Sequence, residues 1–255
     1  MVWYLQLWAT IYEGLEKIWV WTPALLSSTV VTLELTIASV TTALVLGVFL
    51  ALGKISRNRV VKSVTSAYVF FFRGTPLMMQ LFFVYYAFPR MLMELVNNTV
   101  ALQTGGSWAW LGTFFIEGPL SMENRFFAAY LAFSLNIAAY LAEIIRAAIQ
   151  SIPKGQMEAA KSLGLSYHQG MALIVLPQSY RRMIPPVCNE FVMVLKDTSL
   201  VSTISLMDLT FQTSMIATNQ VSTLVYLPAM VIYLIMSAAL TILFNGLEKK
   251  LSKYD

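Results

Sequence analysis

Apolar residues in this chain come in long runs, and five of them reach the roughly 20 predominantly apolar residues that a transmembrane helix needs. The first runs from about Pro23 to Gly53. The second covers about Ser63 to Phe88 and is interrupted at Arg73-Gly74-Thr75-Pro76. The third, fourth and fifth lie at about Phe126 to Ile149, Pro186 to Leu209 and Val225 to Leu247. Two further segments do not read as spans. Residues 1–22 set Trp3, Tyr4, Trp8, Tyr12, Trp19 and Trp21 beside charges, the pattern of an interfacial aromatic belt. Residues 97–122 hold Trp108, Trp110, Phe114 and Phe115, but Gly105-Gly106, Gly118 and Pro119 break the run. That stretch reads as an outer loop resting on the membrane surface. The chain thus divides into an interfacial segment 1–22, a transmembrane domain 23–247 and a tail 248–255.

Composition agrees with this pattern. Of the 255 residues 58% are hydrophobic and only 12% charged, and the mean hydropathy is +0.67. A soluble domain carries roughly a quarter charged residues. Lipid solvates neither charges nor unpaired backbone groups, so an all-α membrane protein is expected.

Loop charges set the orientation, because basic residues stay cytoplasmic. Lys54, Arg57, Arg59 and Lys62 follow the first span with no acidic residue among them. Arg146, Lys154, Lys161, Arg181 and Arg182 stand against Glu158 between the third and fourth, and Lys249, Lys250 and Lys253 against Glu248 and Asp255 in the tail. The alternate loops are acidic or neutral, with Glu94, Glu117 and Glu123 against Arg90 and Arg125, then Asp208 alone. Five transmembrane helices with the N-terminus outside and the C-terminus cytoplasmic satisfy every loop.

The formal charge of +4 is too small, and too confined to loops, for nucleic acid; it suits an anionic cytoplasmic leaflet. One cysteine, Cys188, excludes an intrachain disulfide. The lone His168 has no second histidine with which to build a metal site. Glu13, Glu16 and Lys17 stand where a cleavable signal would begin with a basic region, so the first apolar helix is expected to serve as an uncleaved insertion signal.

The cytoplasmic loop at about 150–182 is patterned. Glu158-Ala159-Ala160 is followed after three residues by Gly164, then after nine more by Ile174-Val175-Leu176-Pro177. Gly155 to Leu163 is rich in helix formers, with Pro153 before it and Gly164 at its end. Alanines keep such a helix slim enough to enter a groove on another protein. Spacing alone leaves open whether this is a docking element or an ordinary amphipathic loop helix.

The same residues resemble the coupling-loop signature of ATP-binding-cassette importer permeases. Other segments resemble the polar amino-acid branch of that family: Arg73-Gly74-Thr75-Pro76-Leu77 with Gln80-Leu81-Phe82-Phe83, Ala139 to Ala147, Ile152 to Gln156, and Lys196-Asp197-Thr198-Ser199-Leu200. The resemblance covers about residues 24–247. It implies a type I importer permease fold in a bacterial cytoplasmic (inner) membrane. It also implies a coupling helix, with Glu158, Ala159, Ala160, Leu163, Gly164 and Pro177 contacting a separate ATPase. The implied partners are a second permease subunit, identical or homologous, two ATPase subunits and an extracytoplasmic solute-binding protein, with a polar amino acid as cargo. No G-x-x-x-x-G-K-[ST] loop occurs in the chain, so ATP and Mg are expected on the partner ATPase and no cofactor on this chain.

The fourth predicted span is oddly polar. Asn189, Glu190, Lys196, Asp197, Thr198 and Ser199 lie within it, and a charge at the bilayer centre costs about 2.5–3.5 kcal/mol on insertion scales. Residues seven apart share a face, pairing Glu190 with Asp197 and Asn189 with Lys196. These groups either line a solute path, where both charge signs meet the ammonium and carboxylate of an amino acid, or lock the bundle as structural pairs. The break at Arg73, Gly74, Thr75 and Pro76 is equally open between a cavity wall and a structural elbow; it places Thr75 as N-cap and Pro76 as the first residue of the helix that follows. Glu143 and Arg146, three apart, are expected to form a structural pair. A self-sufficient secondary transporter or channel is the competing class, but it should show inverted repeats or paired broken helices. An enzyme is not expected: no metal-ligand cluster or nucleophile dyad stands out.

Overall fold

The structure, a computed structural model, describes residues 2–91, 94 and 124–252; the 97–122 stretch lies outside the described residues. Those residues form helices joined by short turns. Helix α1 runs Val2–Ile55, α2 Arg59–Gly74 and α3 Leu77–Phe82, which continues through a wider π turn at Phe83–Ala87. Then come α4 (Arg125–Gln150), α5 (Lys154–Ser162), α6 (Tyr167–Gly170) and α7 (Leu176–Asp197), the last two joined by a π turn. After a 3-10 segment at Thr198–Ile204 follow α8 (Leu209–Asn219) and α9 (Tyr226–Ser252).

Helix α1 does not begin at Pro23, as the hydropathy pattern suggests; the aromatic segment and the first span are one helix. Proline inside a helix costs about 3 kcal/mol, since it removes one backbone bond and crowds the preceding turn. Trp21 and Leu25, on either side of Pro23, are fully buried beside Leu209 and Val225, and Trp21 Nε1 donates to Gln220 Oε1 at 2.7 Å. Packing on both sides holds the helix through the proline.

The centre of the bundle is α1 against α4. Ala128, Ala129, Ala132, Ala138, Ala139 and Ala142 of α4 are buried, and small residues let transmembrane backbones approach closely. Gly47 completes the fit: a Cβ there would lie 3.0 Å from Leu141 Cβ and 3.4 Å from the Ala138 carbonyl. Two hydroxyls that α1 buries are turned back on their own helix, Thr29 to Leu25 O and Thr36 to Thr32 O.

Three described helices are long and apolar enough to cross a membrane: Glu16–Ile55, Arg125–Gln150 and Thr223–Lys250. The predicted second span is a bent pair, Arg59–Gly74 with Leu77–Met91, turning by 103°. The predicted fourth span starts ten residues before Pro186, at Leu176, with Pro177 in its first turn. The helix continues directly from the π turn Met171–Val175, so Pro177 sits at a junction within a helical run and not at a free helix start. The α-helix ends at Asp197, and the 3-10 segment stops at Ser205, whose φ is +57°. Asp208 then caps α8, accepting from the N–H of Thr210 at 3.0 Å and of Phe211 at 2.9 Å.

Candidate functional site

The break between α2 and α3 follows from Pro76. With no N–H it cannot donate to the Phe72 carbonyl. The structure corrects the capping expected from sequence: Thr75 closes α2, its N–H and its Oγ1 both donating to Phe71 O. Pro76, not Thr75, is the N-cap of α3. The Phe72 carbonyl receives side-chain amides instead, Gln80 Nε2 at 3.0 Å and Asn136 Nδ2 at 2.9 Å. Gln80 Nε2 also reaches Thr75 O at 3.1 Å and Thr75 Oγ1 at 2.6 Å. Asn136 Nδ2 also donates to Gln80 Oε1 at 2.9 Å. Both amides are buried, and the five bonds make one network from α3 to α4.

Beside this network lies a cavity of about 340 Å³, walled by Arg73 to Leu77, by Phe133, Asn136, Ile137 and Tyr140 of α4, and by Glu190, Met193, Val194 and Asp197 of α7. The guanidinium of Arg73 lies over the Tyr140 ring, 5.2 Å from its centroid. That is cation–π range. One cation and two carboxylates therefore share a single wall system.

The seven-residue spacing put Glu190 and Asp197 on one face; that the helix break lines the same cavity is shown by the structure alone. The other polar residues of that span do not join them. Lys196 opens onto an apolar groove against Leu227, Met230, Val231 and Leu234 of α9. Asn189 is exposed elsewhere on α7. Thr198 is buried with its hydroxyl on Leu195 O at 2.7 Å, and the Ser199 carbonyl accepts from Ser202 Oγ at 2.7 Å. Sequence reasoning passed over Asn136, Tyr140 and the role of Gln80. The available signal was a lone amide in the Ala-rich third span, where a polar side chain needs a partner.

At the other end of α4, Glu143 takes Arg146 as expected, with Nε at 2.8 Å and Nη2 at 2.6 Å from Oε2. A second partner was not foreseen: Lys54 at the end of α1 pairs with Oε1 of the same carboxylate. Four residues beyond Gln150 the chain begins α5, capped by Pro153 and closed by Gly164 at φ +82°. The expected helix limits and the glycine stop are present.

The two alanines of that helix part company. Ala159 is exposed, as are Glu158, Gly164 and Pro177, and Leu163 is 80% exposed. Ala160 is fully buried, so it does not lie on the outward surface the sequence reading gave it. Its neighbour is Gly170, where a Cβ would lie 2.8 Å from Met157 Sδ and 3.4 Å from Ala160 Cβ. Arg57, after α1, stacks over Tyr167 of α6 at 5.6 Å, and Gln178 Nε2 of α7 donates to Gln156 Oε1 of α5 at 3.4 Å.

Residues 43–253 match a family model described as a binding-protein-dependent transport system inner membrane component. The L-cystine transport system permease protein TcyB of Bacillus subtilis (strain 168) is 34% identical over 225 residues, covering 88% of this chain and 84% of that protein. The arginine transport system permease protein ArtQ of the same organism is 34% identical over 236 residues, 91% of this chain and 94% of its own length. Among solved structures, the crystal structure of an amino acid ABC transporter with histidines superposes with a TM-score of 0.72 at 32% identity. It covers 90% of this chain and 94% of that one.

Proposed function

Because the chain belongs to the family of binding-protein-dependent transport system inner membrane components, we propose that it is the membrane subunit of an ATP-driven importer that passes a polar amino acid into the cytoplasm by alternating access. It has the all-helical fold of a type I importer permease and is an amino-acid ABC permease by its relatives. In this reading it works in a bacterial cytoplasmic membrane with a second permease, two ATPase subunits that hold ATP and Mg, and a solute-binding protein outside. The chain crosses five times: α1, the bent α2–α3 pair, α4, α7 with its 3-10 extension, and α9. The loop charges support an outer N-terminus and a cytoplasmic C-terminus. The exposed side of α5, with Glu158, Ala159 and Leu163, receives the ATPase.

The observation that carries the reading is the cavity that joins Arg73 to Glu190 and Asp197. A zwitterion needs both signs within one small space. A guanidinium suits its carboxylate, and the two acidic side chains suit its ammonium. The test is the complex reconstituted with its ATPase and binding protein in liposomes, challenged with single amino acids. ATP hydrolysis and uptake should rise together with one amino acid or a small set. Uptake that persists without the ATPase would sink the proposal.

A further inference from the structure

The break at Pro76 strips the Phe72 carbonyl of its helical donor, and two side-chain amides replace it. One is local: Gln80 sits on α3, just past the turn. The other comes from 64 residues beyond Phe72, Asn136 on α4. The orientation of both amides follows from their partners. Asn136 Nδ2 faces two acceptors, Phe72 O and Gln80 Oε1; turned over, the Asn136 oxygen would oppose both. Gln80 Nε2 likewise faces only acceptors. The network therefore has one arrangement, and it fastens both sides of the turn to a single residue of α4.

Helix α4 is the part of the molecule best placed to move that turn. It runs unbroken from Arg125 to Gln150, and Ser151 to Pro153 lead directly into α5. Asn136 and the helix end at Gln150 are 14 residues apart, roughly 21 Å at helical rise. Where the chain turns, Arg182 Nη1 of α7 holds the end of α4 through Ser151 O at 2.7 Å and Ser151 Oγ at 3.0 Å. A displacement of α5 thus reaches Asn136 along a stiff rod, and Asn136 grips the wall of the cavity.

We infer that Gln80 and Asn136 are positioning residues: they brace the Arg73–Pro76 turn to α4, so that the cavity wall moves with the helix that ends at α5. This rests on the reading of the cavity as the solute path and of α5 as the ATPase contact. It adds the link between them.

Gly74 offers a probe, since it lies in the cavity wall and nothing stands within 4 Å of a Cβ added there. Gly74→Cys is placed in a Cys188→Ser background, which removes the native thiol, and the assembled complex is labelled in membrane vesicles with a water-soluble methanethiosulfonate reagent. Rates are compared without nucleotide and with ATP plus vanadate. With the brace intact the two rates should differ by about fivefold or more, the lower end of coupling between linked sites. With Asn136→Leu the difference should fall to less than about twofold on the same scale. Gln80→Met breaks the brace from the other side and should do the same if Asn136→Leu fails to assemble, and the double variant should be no worse than either single one. A nucleotide effect that survives both substitutions overturns the brace while leaving the cavity reading intact. No labelling in either state means that the cavity is not water-filled, which overturns the solute-path reading first and the brace with it.

Discussion

Removing the carboxylate of Glu143 should destabilise the bundle measurably. It is the common partner of Lys54 from α1 and Arg146 from α4. Hydrogen bonds to charged groups contribute about 1.5–3 kcal/mol each, and stranding a partner of a fully buried pair costs about 3–5 kcal/mol. This cluster is not fully buried: side-chain exposure is 16% for Lys54 and Glu143 and 29% for Arg146. Water and salt at this end of α4 therefore screen part of the charge, and Arg146 keeps a second partner in Gln150. We expect Glu143→Gln to cost about 2–3 kcal/mol, between the limits for exposed and buried pairs. At about 2–4 °C per kcal/mol for a chain of this size, the midpoint should drop by about 4–12 °C. Thermal unfolding of the purified complex, followed by intrinsic fluorescence in low and high salt, measures this. Lys54→Met in the Glu143→Gln background should recover part of the loss by removing a stranded cation. A midpoint within about 1 °C of the parent protein, at the screened limit for surface pairs, would refute the reasoning.

Ala159→Trp should leave the chain stable but abolish solute-stimulated ATP hydrolysis, because the exposed side of α5 is obstructed. Ala160→Trp and Gly170→Val should instead loosen the loop itself, at about 1–3 kcal/mol for overpacking, seen as faster proteolysis between α5 and α7; equal proteolysis of all three variants would show the assignment of faces to be wrong. Asp197→Asn should shift the solute concentration giving half-maximal uptake, whereas Lys196→Met should not, since Lys196 opens onto the groove beside α9 and not onto the cavity; the reverse pattern would reassign the path.

Much of this was legible from the chain, for reasons that differ by segment. Runs such as Phe126–Ile149 have no alternative to a helix in lipid, and the structure places α4 within one residue of those limits. The glycine stop at Gly164 and the shared face of Glu190 and Asp197 followed from helix geometry alone. Pro23 and Pro186 misled because proline predicts a boundary only where nothing else holds the helix. At Pro23 the burial of Trp21 and Leu25 does so, and α7 had already begun at Leu176. Ala160 could not be told from Ala159 because the glycine that receives it is ten residues away, across a turn. The Gln80–Asn136 network joins residues 56 apart, and no local pattern brings two such amides together.

The back-bonded hydroxyls of α1 bear on how the chain is made. Its main partner, α4, begins 70 residues after α1 ends, and at about 5–20 residues per second a ribosome needs several seconds to supply it. During that interval α1 sits in lipid or in the insertion channel without its packing surface. A bare hydroxyl in hydrocarbon is costly. Thr29 and Thr36, buried in the finished bundle, donate to carbonyls of α1 itself, so those hydroxyls are satisfied before any neighbour arrives. The Thr42 contact with Tyr130 of α4, by contrast, forms only on docking. Biogenesis is thereby divided between bonds that let a lone helix wait and bonds that record its arrival.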